Sequence, residues 1–581
     1  MSEKVKREHW SSNIGFILAA TGSAVGLGNI WKFSYITGEN GGGAFVLIYL
    51  LSVLLIGLPL LLCELSIGRN TQLSAVSAFD KLKPKVSLVA HIFGAMMVIN
   101  GIALMCFGQV GFGILSLFVG ALIFIEGWTI VGIIATFAAF IISCYYTIVG
   151  GWTIFYTVQG FTGHLDFSTI KEATNFFVDF TSIKNKPDLF SHPVFYHLIF
   201  IVACSTILCF GIKKGVERSV KFMMPLLFLL LIFIAIRSLS LPGAMGGVEF
   251  LLAPDFTKLK AESIILAISH SFFTLSLGMG IMIAYGSYLP KTQNIFKSAI
   301  AIIFLDTLVA LLAGLAIFPA LFHKGATPSG GPGLAFMTFP TVLSDVPGAD
   351  LWIGLFFFLL LVAAFTSQIS IMEVSISFLI DKFNFKRLYA VLTVGVAIAT
   401  IGCFITFSVH DWDTLLSFKE KIAYCFKLDM GMKPFSSLFN ILESIGDTVL
   451  LPVGGILTAV FAGWVWGTKK GVDEIRHGSE NFADVHLISF LAGLREDKSH
   501  NSDVHVLTLA SMWGMFIRFA IPIAITIVIF DGIQKMFNTS EDDKKAKIKH
   551  IATLQEVSEK VKTIENKVDT ISKVLTKKLQ Q

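Results

Sequence analysis

Charge is scarce in this chain: only 15% of its 581 residues are Asp, Glu, Lys or Arg. A soluble globule carries about 25%, so most of this protein has lipid and not water as its solvent. The net charge of +5 is small and scattered, which argues against a nucleic-acid partner. Cysteine is sparse as well. The seven cysteines, at 63, 106, 144, 204, 209, 403 and 425, lie mostly inside apolar stretches and have neither metal-ligand spacing nor the pattern of a secreted disulfide framework. Also missing are a phosphate-cradling Gly-rich loop, a metal motif and a nucleophile–base set, which disfavours both a membrane enzyme and an ATP-driven pump. Nothing alternates apolar and polar as the strands of a membrane barrel would.

What is present is long apolar runs. A span needs about 20 mostly apolar residues, and thirteen stretches qualify: 13–37, 42–66, 88–106, 109–126, 128–160, 194–212, 219–238, 261–288, 296–324, 351–380, 387–408, 436–466 and 506–533. Backbone in lipid must satisfy its hydrogen bonds internally, so these read as helices of an all-α polytopic membrane protein. The charged start MSEKVKREHW precedes the first of them without a small-residue cleavage site, so 13–37 reads as a span and not as a removable signal. Short basic loops stay cytoplasmic. Lys4, Lys6 and Arg7, then Arg69, Lys81, Lys83 and Lys85, then Lys213, Lys214, Arg218 and Lys221, and finally Lys469, Lys470 and Arg476 fall on one side if the N-terminus is cytoplasmic and 88–126 crosses twice. The expected organisation is a cytoplasmic segment 1–12, a core 13–533 and a tail 535–581.

Two spans contain what a membrane helix should avoid. One reads Thr21-Gly-Ser-Ala-Val-Gly-Leu-Gly-Asn29 and the other Ser276-Leu-Gly-Met-Gly280. Each glycine costs a helix roughly 1 kcal/mol relative to alanine, so clusters invite unwinding. One such cluster would fit close helix packing through small residues equally well. Two, opening corresponding parts of two halves, point to unwound backbone lining a site, with carbonyls for a cation and half-helix N-termini for a carboxylate.

The residues Arg7-Glu-His-Trp10, Gly22-Ser-Ala-Val-Gly-Leu-Gly-Asn29, Glu39-Asn-Gly-Gly-Gly-Ala-Phe45, Glu64-Leu-Ser-Ile-Gly-Arg69, Gly151-Trp152, Phe272-Phe-Thr-Leu-Ser-Leu-Gly278, Phe365-Thr-Ser367 and Pro452-Val-Gly-Gly455 resemble the neurotransmitter:sodium symporter family, in particular its bacterial amino-acid transporters. The resemblance implies two inverted five-helix repeats with broken first and sixth core helices. It implies one sodium held by the Ala24 carbonyl, Asn29, Thr274 and Asp306, and a second held by the carbonyls of Gly22, Val25 and Ala363 with the hydroxyls of Thr366 and Ser367. Such all-oxygen shells suit a hard cation. The implied substrate pocket comprises Ala24, Gly26, Ile142, Tyr146, Phe273, Ser276, Met279, Ser367 and Ile371, with the Tyr146 hydroxyl on the substrate carboxylate. Read alone, neighbouring Tyr145 is equally eligible. Family members that carry monoamines have an aspartate where this chain has Gly26. The expected substrate is therefore a small neutral amino acid, apolar or aromatic, imported with sodium across the inner (plasma) membrane. A membrane sensor that keeps the pocket without transport is the alternative.

The chain departs from the family in several places. Asp306 stands where an asparagine is usual; an acid at membrane depth is functional by default, and this one would make chloride unnecessary by supplying the negative charge. His270 replaces a common glutamine one helical turn before Thr274. The cytoplasmic gate maps to Arg7 and Asp381. The external one maps to Lys32 and Glu443, with Asp447 as the alternative acid, and a lysine there cannot make arginine's two-pronged contact. The apolar insertion near 88–126 reads as an extra helical hairpin. In the tail, Val557, Val561, Ile564, Val568, Ile571 and Leu575 follow heptad spacing, which offers a route to a homo-oligomer or to an amphipathic helix on the bilayer. With no twelfth core helix, that tail is expected outside the cytoplasm.

Overall fold

The computed structural model describes residues 7–84, 127–182, 189–326, 334–408, 438–479 and 508–532, with Phe482 and a few positions between 92 and 120. Among these residues the chain is helical, apart from one isolated bridge between Gly42 and Pro254. The helices that matter here are α1 (Asn13–Ala24) and α2 (Gly28–Glu39), α3 (Gly43–Thr71), α4 (Ala75–Leu82), α5 (Thr129–Phe161), α6 (Pro193–Cys209), α7 (Ile212–Leu239), α8 (Ala261–Thr274) and α9 (Ile281–Gly286), α10 (Ile295–His323), α11 (Ala349–Phe383), α12 (Arg387–Phe407), α13 (Ile441–Arg476) and α14 (Leu509–Gly532).

Eight of these are long and apolar enough to cross a bilayer, and α1 with α2 makes a ninth crossing bent by 54°. The span expected at 194–212 is the shorter apolar helix α6. It stops at Gly211, whose φ of +83° turns the chain directly into α7, so α7 begins at Ile212 and not near 219. The expected span 261–288 is divided into α8 and α9. The expected hairpin at 88–126 falls mostly outside the described residues; positions 94–100 are helical, and Gly120 lies against Gly94 and Val98. The tail 535–581 lies outside them altogether.

Both breaks occur where the glycine clusters place them. Helix α1 starts on Ser12, whose Oγ accepts the Gly15 N–H at 3.0 Å, and ends when Val25 turns extended. Between α8 and α9, Ser276, Gly278 and Gly280 all take positive φ (54°, 82° and 75°), a region that excludes most side chains. Gly278 is also pressed against another backbone. A Cβ there would collide with the Leu451 carbonyl, and one at Gly454 would collide with the Gly278 carbonyl. The glycines of Pro452-Val-Gly-Gly455 therefore let α13 pack directly on the unwound segment. Glu64 of α3, fully buried, accepts the Gly278 N–H at 2.7 Å and so meets one of the backbone groups that unwinding leaves without a partner. Five residues on, the buried Arg69 pairs with Glu474 (2.7 Å) and donates to the carbonyls of Gln293 and His477, tying α3 to the end of α13. The core is completed by α5 and α11, helices of 33 and 35 residues packed along each other.

Candidate functional site

Asp306 sits in the middle of α10 with no exposed surface. Its Oδ1 accepts from Asn29 Nδ2 at 2.7 Å and from Thr274 Oγ1 at 3.1 Å, and its Oδ2 accepts from Thr274 at 3.2 Å and Tyr49 at 3.4 Å. Asn29 also donates to Thr274 at 2.8 Å, while its Oδ1 receives the Gly26 N–H at 3.2 Å. Three of the four groups expected around the first sodium are thus within hydrogen-bond reach of one another, and Ala24 is the last residue of α1 just before the break. No basic side chain is ion-paired with Asp306 among the described residues. A buried carboxylate with hydroxyl and amide donors but no counter-charge fits a cation, because unpaired charge at this depth costs several kcal/mol. The oxygen donors around it suit sodium.

The second set also converges. Ser367 Oγ lies 3.4 Å from the Gly22 carbonyl oxygen and 3.3 Å from that of Val25, and Thr366 Oγ1 donates to the Ala363 carbonyl at 3.0 Å. Gly22 faces Thr366 closely: a Cβ on Gly22 would lie 3.2 Å from Thr366 Cβ. Ser367 additionally reaches the Ser23 carbonyl at 3.2 Å, which Ser276 Oγ also bonds at 2.9 Å. The Ser23 carbonyl, in the last turn of α1, is therefore shared by Ser367 of α11 and Ser276 of the second break. The sequence reading left Ser23 out.

The substrate residues form one wall of the same region. Tyr146 OH accepts the Leu27 N–H at 3.3 Å, inside the first break, whereas Tyr145 OH donates to Asp447 at 2.7 Å; the two tyrosines are thereby distinguished. A Cβ on Gly26 would stand 2.6 Å from Ser367 Oγ and 2.9 Å from Tyr146 OH, and one on Gly28 would stand 2.7 Å from the Phe273 ring. Gly26 is thus a matter of space as well as of charge, since any side chain there would displace Tyr146 or Ser367. Ile142 packs at Gly446, while Met279 and Ile371 are buried, the first in the unwound stretch and the second one helical turn beyond Ser367.

Two ion pairs bracket these residues. Arg7 Nη1 reaches both oxygens of Asp381 at 2.8 and 2.7 Å, and its Nη2 donates to Ser287 Oγ at 2.6 Å. Asp381 also accepts the Ser74 N–H at 2.5 Å, and the guanidinium stands 4.7 Å from the centre of the Tyr288 ring. Burial works against the Arg7 charge, yet Tyr288, Asp381 and Glu373 outweigh it and lift the guanidinium pKa above its ordinary value. At the other end the expected Lys32–Glu443 pair is corrected. Lys32 Nζ bonds Asp447 at 2.8 Å and lies over the Phe273 ring at 4.1 Å. Glu443 is on the preceding turn of α13, and the wide π-helical turn over Ile445–Leu450 carries Asp447 to the face where Tyr145 and Lys32 meet it. Lys32, Asp447, Phe273 and His270 line a recess of about 240 Å³. His270 is buried between the Phe33 and Tyr49 rings, 6.0 and 5.4 Å away, with neither ring nitrogen bonded. Tyr49, against its ring, also bonds Asp306 at 3.4 Å. Tyr49 and Glu64 were both missed by sequence reasoning, although an acid inside the apolar run 58–67 was a visible signal for Glu64.

Residues 7–119 and 190–477 match the sodium:neurotransmitter symporter family. An uncharacterized sodium-dependent transporter of Bacillus subtilis, YhdH, is 34% identical over 92% of this chain and 99% of its own length. The human sodium- and chloride-dependent GABA transporter 2 is 27% identical over 81% of this chain and 75% of its own. The crystal structure of MhsT in complex with L-phenylalanine superposes with a TM-score of 0.68 at 35% identity, covering 91% of this chain and all of that one. This chain belongs to the sodium:neurotransmitter symporter family and is a multi-pass, sodium-dependent transporter, not an enzyme.

Proposed function

We propose that this transporter imports a small neutral amino acid, apolar or aromatic, by alternating access, with one sodium at Ala24, Asn29, Thr274 and Asp306 and a second at Gly22, Val25, Ala363, Thr366 and Ser367. The observation that carries the reading is the buried Asp306 cluster beside the first break: it has oxygen donors for a cation and no protein counter-charge. The substrate's α-carboxylate is the natural further ligand of that cation, with Tyr146 OH beside it. Gly26 leaves no acid to meet a substrate lacking a carboxylate. The pocket side chains Ile142, Phe273, Met279 and Ile371 are uncharged and suit an apolar side chain, in keeping with the phenylalanine bound to MhsT.

Closure at both ends follows from the ion pairs. Arg7–Asp381 shuts the path on the cytoplasmic side, if the basic segments keep the N-terminus there in the inner membrane. Lys32–Asp447 shuts it on the outside, above Phe273. Transport requires each latch to open while the other stays shut. Asp306, held ionised by sodium, supplies the negative charge that makes chloride unnecessary.

Uptake into proteoliposomes of the purified protein tests this. Phenylalanine and leucine are expected to enter only down a sodium gradient, equally well when gluconate replaces chloride. Asp306→Asn is expected to abolish uptake, with partial recovery on adding chloride, and Ser367→Ala to raise the sodium concentration for half-maximal uptake. Chloride-dependent wild-type uptake overturns the role of Asp306, and sodium-driven uptake of amines in place of amino acids overturns the substrate class.

A further inference from the structure

A groove of about 350 Å³ opens on the lipid-facing side of the bundle between α4, α5, α11 and α12, and none of the four ion-paired residues lines it. Its walls are almost wholly apolar: Val76, Ile133, Phe137, Phe140, Phe378 and Val394 among them. Three hydroxyl residues, Thr136, Ser375 and Thr393, also line it. Of these, Thr136 has its Oγ1 buried with no hydrogen-bond partner. A buried hydroxyl left unpaired is destabilising, so the groove's occupant should carry an acceptor at that level as well as an apolar body.

Depth identifies that acceptor. Helix α5 has 33 residues, about 50 Å at 1.5 Å per residue, against a hydrocarbon core of about 30 Å. About 10 Å at each end lies beyond the hydrocarbon. Thr136 is seven residues from the start of α5, about 10 Å along it, which is the level of the glycerol esters. Two cations stand beyond its lining, at the ends of the helices that form it. Helix α11 runs out through Leu379 to Lys382, and Lys386 precedes α12, with the exposed rings of Phe383 and Phe385 between them. Both lysines are exposed, and neither is ion-paired among the described residues. Two acids lie close by and both are engaged: Asp381, next to Lys382 in the chain, is paired with Arg7 at 2.7 Å, and Asp80 is bonded to Lys83 at 2.7 Å and Thr129 at 3.0 Å; these bonds, with the charge of Lys382, keep the Asp80 carboxyl below the usual range.

We propose that this groove is a binding site for one anionic phospholipid: an acyl chain lies between α5, α11 and α12, an ester carbonyl accepts from Thr136, and the phosphate headgroup sits at Lys382 and Lys386. Charge complementarity selects the lipid class, since each lysine near a membrane surface favours an anionic headgroup about fivefold. The inference rests on the membrane-embedded fold and not on the substrate or its coupling.

Native mass spectrometry of the full chain in detergent, titrated with palmitoyl-oleoyl phosphatidylglycerol or phosphatidylcholine, tests it. One phosphatidylglycerol is expected to be retained at collision energies that strip phosphatidylcholine. Ala397→Trp, which fills the groove, is expected to lower that retention at least tenfold; Lys382→Gln and Lys386→Gln about fivefold each; and Thr136→Val by less. Sodium-dependent thermal protection of each variant reports that it is folded, and Thr393→Trp stands in for Ala397→Trp if that variant is not. Equal retention of the two lipids overturns the proposal. So does undiminished retention in the folded tryptophan variant, or disulfide crosslinking of Ala397→Cys to a second copy, which would make the groove an interface between protomers.

Discussion

The two ion pairs proposed as latches differ in kind. Arg7–Asp381 is a network: one guanidinium nitrogen bridges both carboxylate oxygens, the other holds Ser287, Ser74 supplies a backbone donor to the acid, and Tyr288 covers the cation. Lys32–Asp447 is one charged hydrogen bond, supported by Tyr145 on the acid and the Phe273 ring under the ammonium. Its side chains are also more exposed, 26% and 14% against 15% and 11%. A planar guanidinium can engage several partners at once, whereas an ammonium acts as a point charge. The first latch should therefore open all at once and rarely, the second readily. Two ion pairs of the same charge pattern thus differ in how many groups each cation holds, and as proposed gates they are expected to have unequal barriers.

The comparison can be broken most severely at Asp381. Asp381→Asn leaves Arg7 buried without its counter-charge, a loss of about 3–5 kcal/mol. Closed states at that end should fall by a factor of about 100 or more, read as rapid thiol labelling of a cysteine placed behind the latch and as lost uptake. Labelling as slow as in the wild type would mean that Ser287 and Tyr288 hold Arg7 unaided. Asp447→Asn should act in the same sense but less, about 1–2 kcal/mol, so about tenfold in labelling from the opposite end. If Asp447→Asn proves the more damaging of the two, the ranking of the latches is reversed.

Lys32→Arg sharpens the comparison instead of breaking it. A forked cation opposite Asp447 should slow opening and lower the uptake rate about threefold, with little change in the substrate concentration at half-saturation. The smallest effect is expected at Glu443. Because Lys32 is bonded to Asp447, Glu443→Gln should change labelling and uptake less than twofold. A loss matching that of Asp447→Asn would restore Glu443 as the partner.

Much of this was legible beforehand. The helices follow from apolar length, because lipid offers the backbone no other partner. The breaks follow from the glycines at 22, 26, 28, 278 and 280, because local propensity governs where a helix fails. Arg7 with Asp381 and the Asp306 cluster came through resemblance, and the geometry brings their members together. Hidden from the sequence was the choice between acids one helical turn apart. Glu443 and Asp447 have the same charge and lie one turn apart on α13, and only a wide turn and the contact with Tyr145 select between them. Glu64 on Gly278 was hidden for the same reason: nothing local says which backbone amide a distant carboxylate will meet.

By itself, then, the sequence determined that this protein lives in a membrane, where its helices run and where two of them come apart, because each of those depends on residues adjacent along the chain. Only the tertiary structure decided which acid latches Lys32, which tyrosine faces the break, why Gly26 must be small and that Thr136 lines a groove. Each of these depends on which surfaces of separate helices meet, and packing sets that across hundreds of residues.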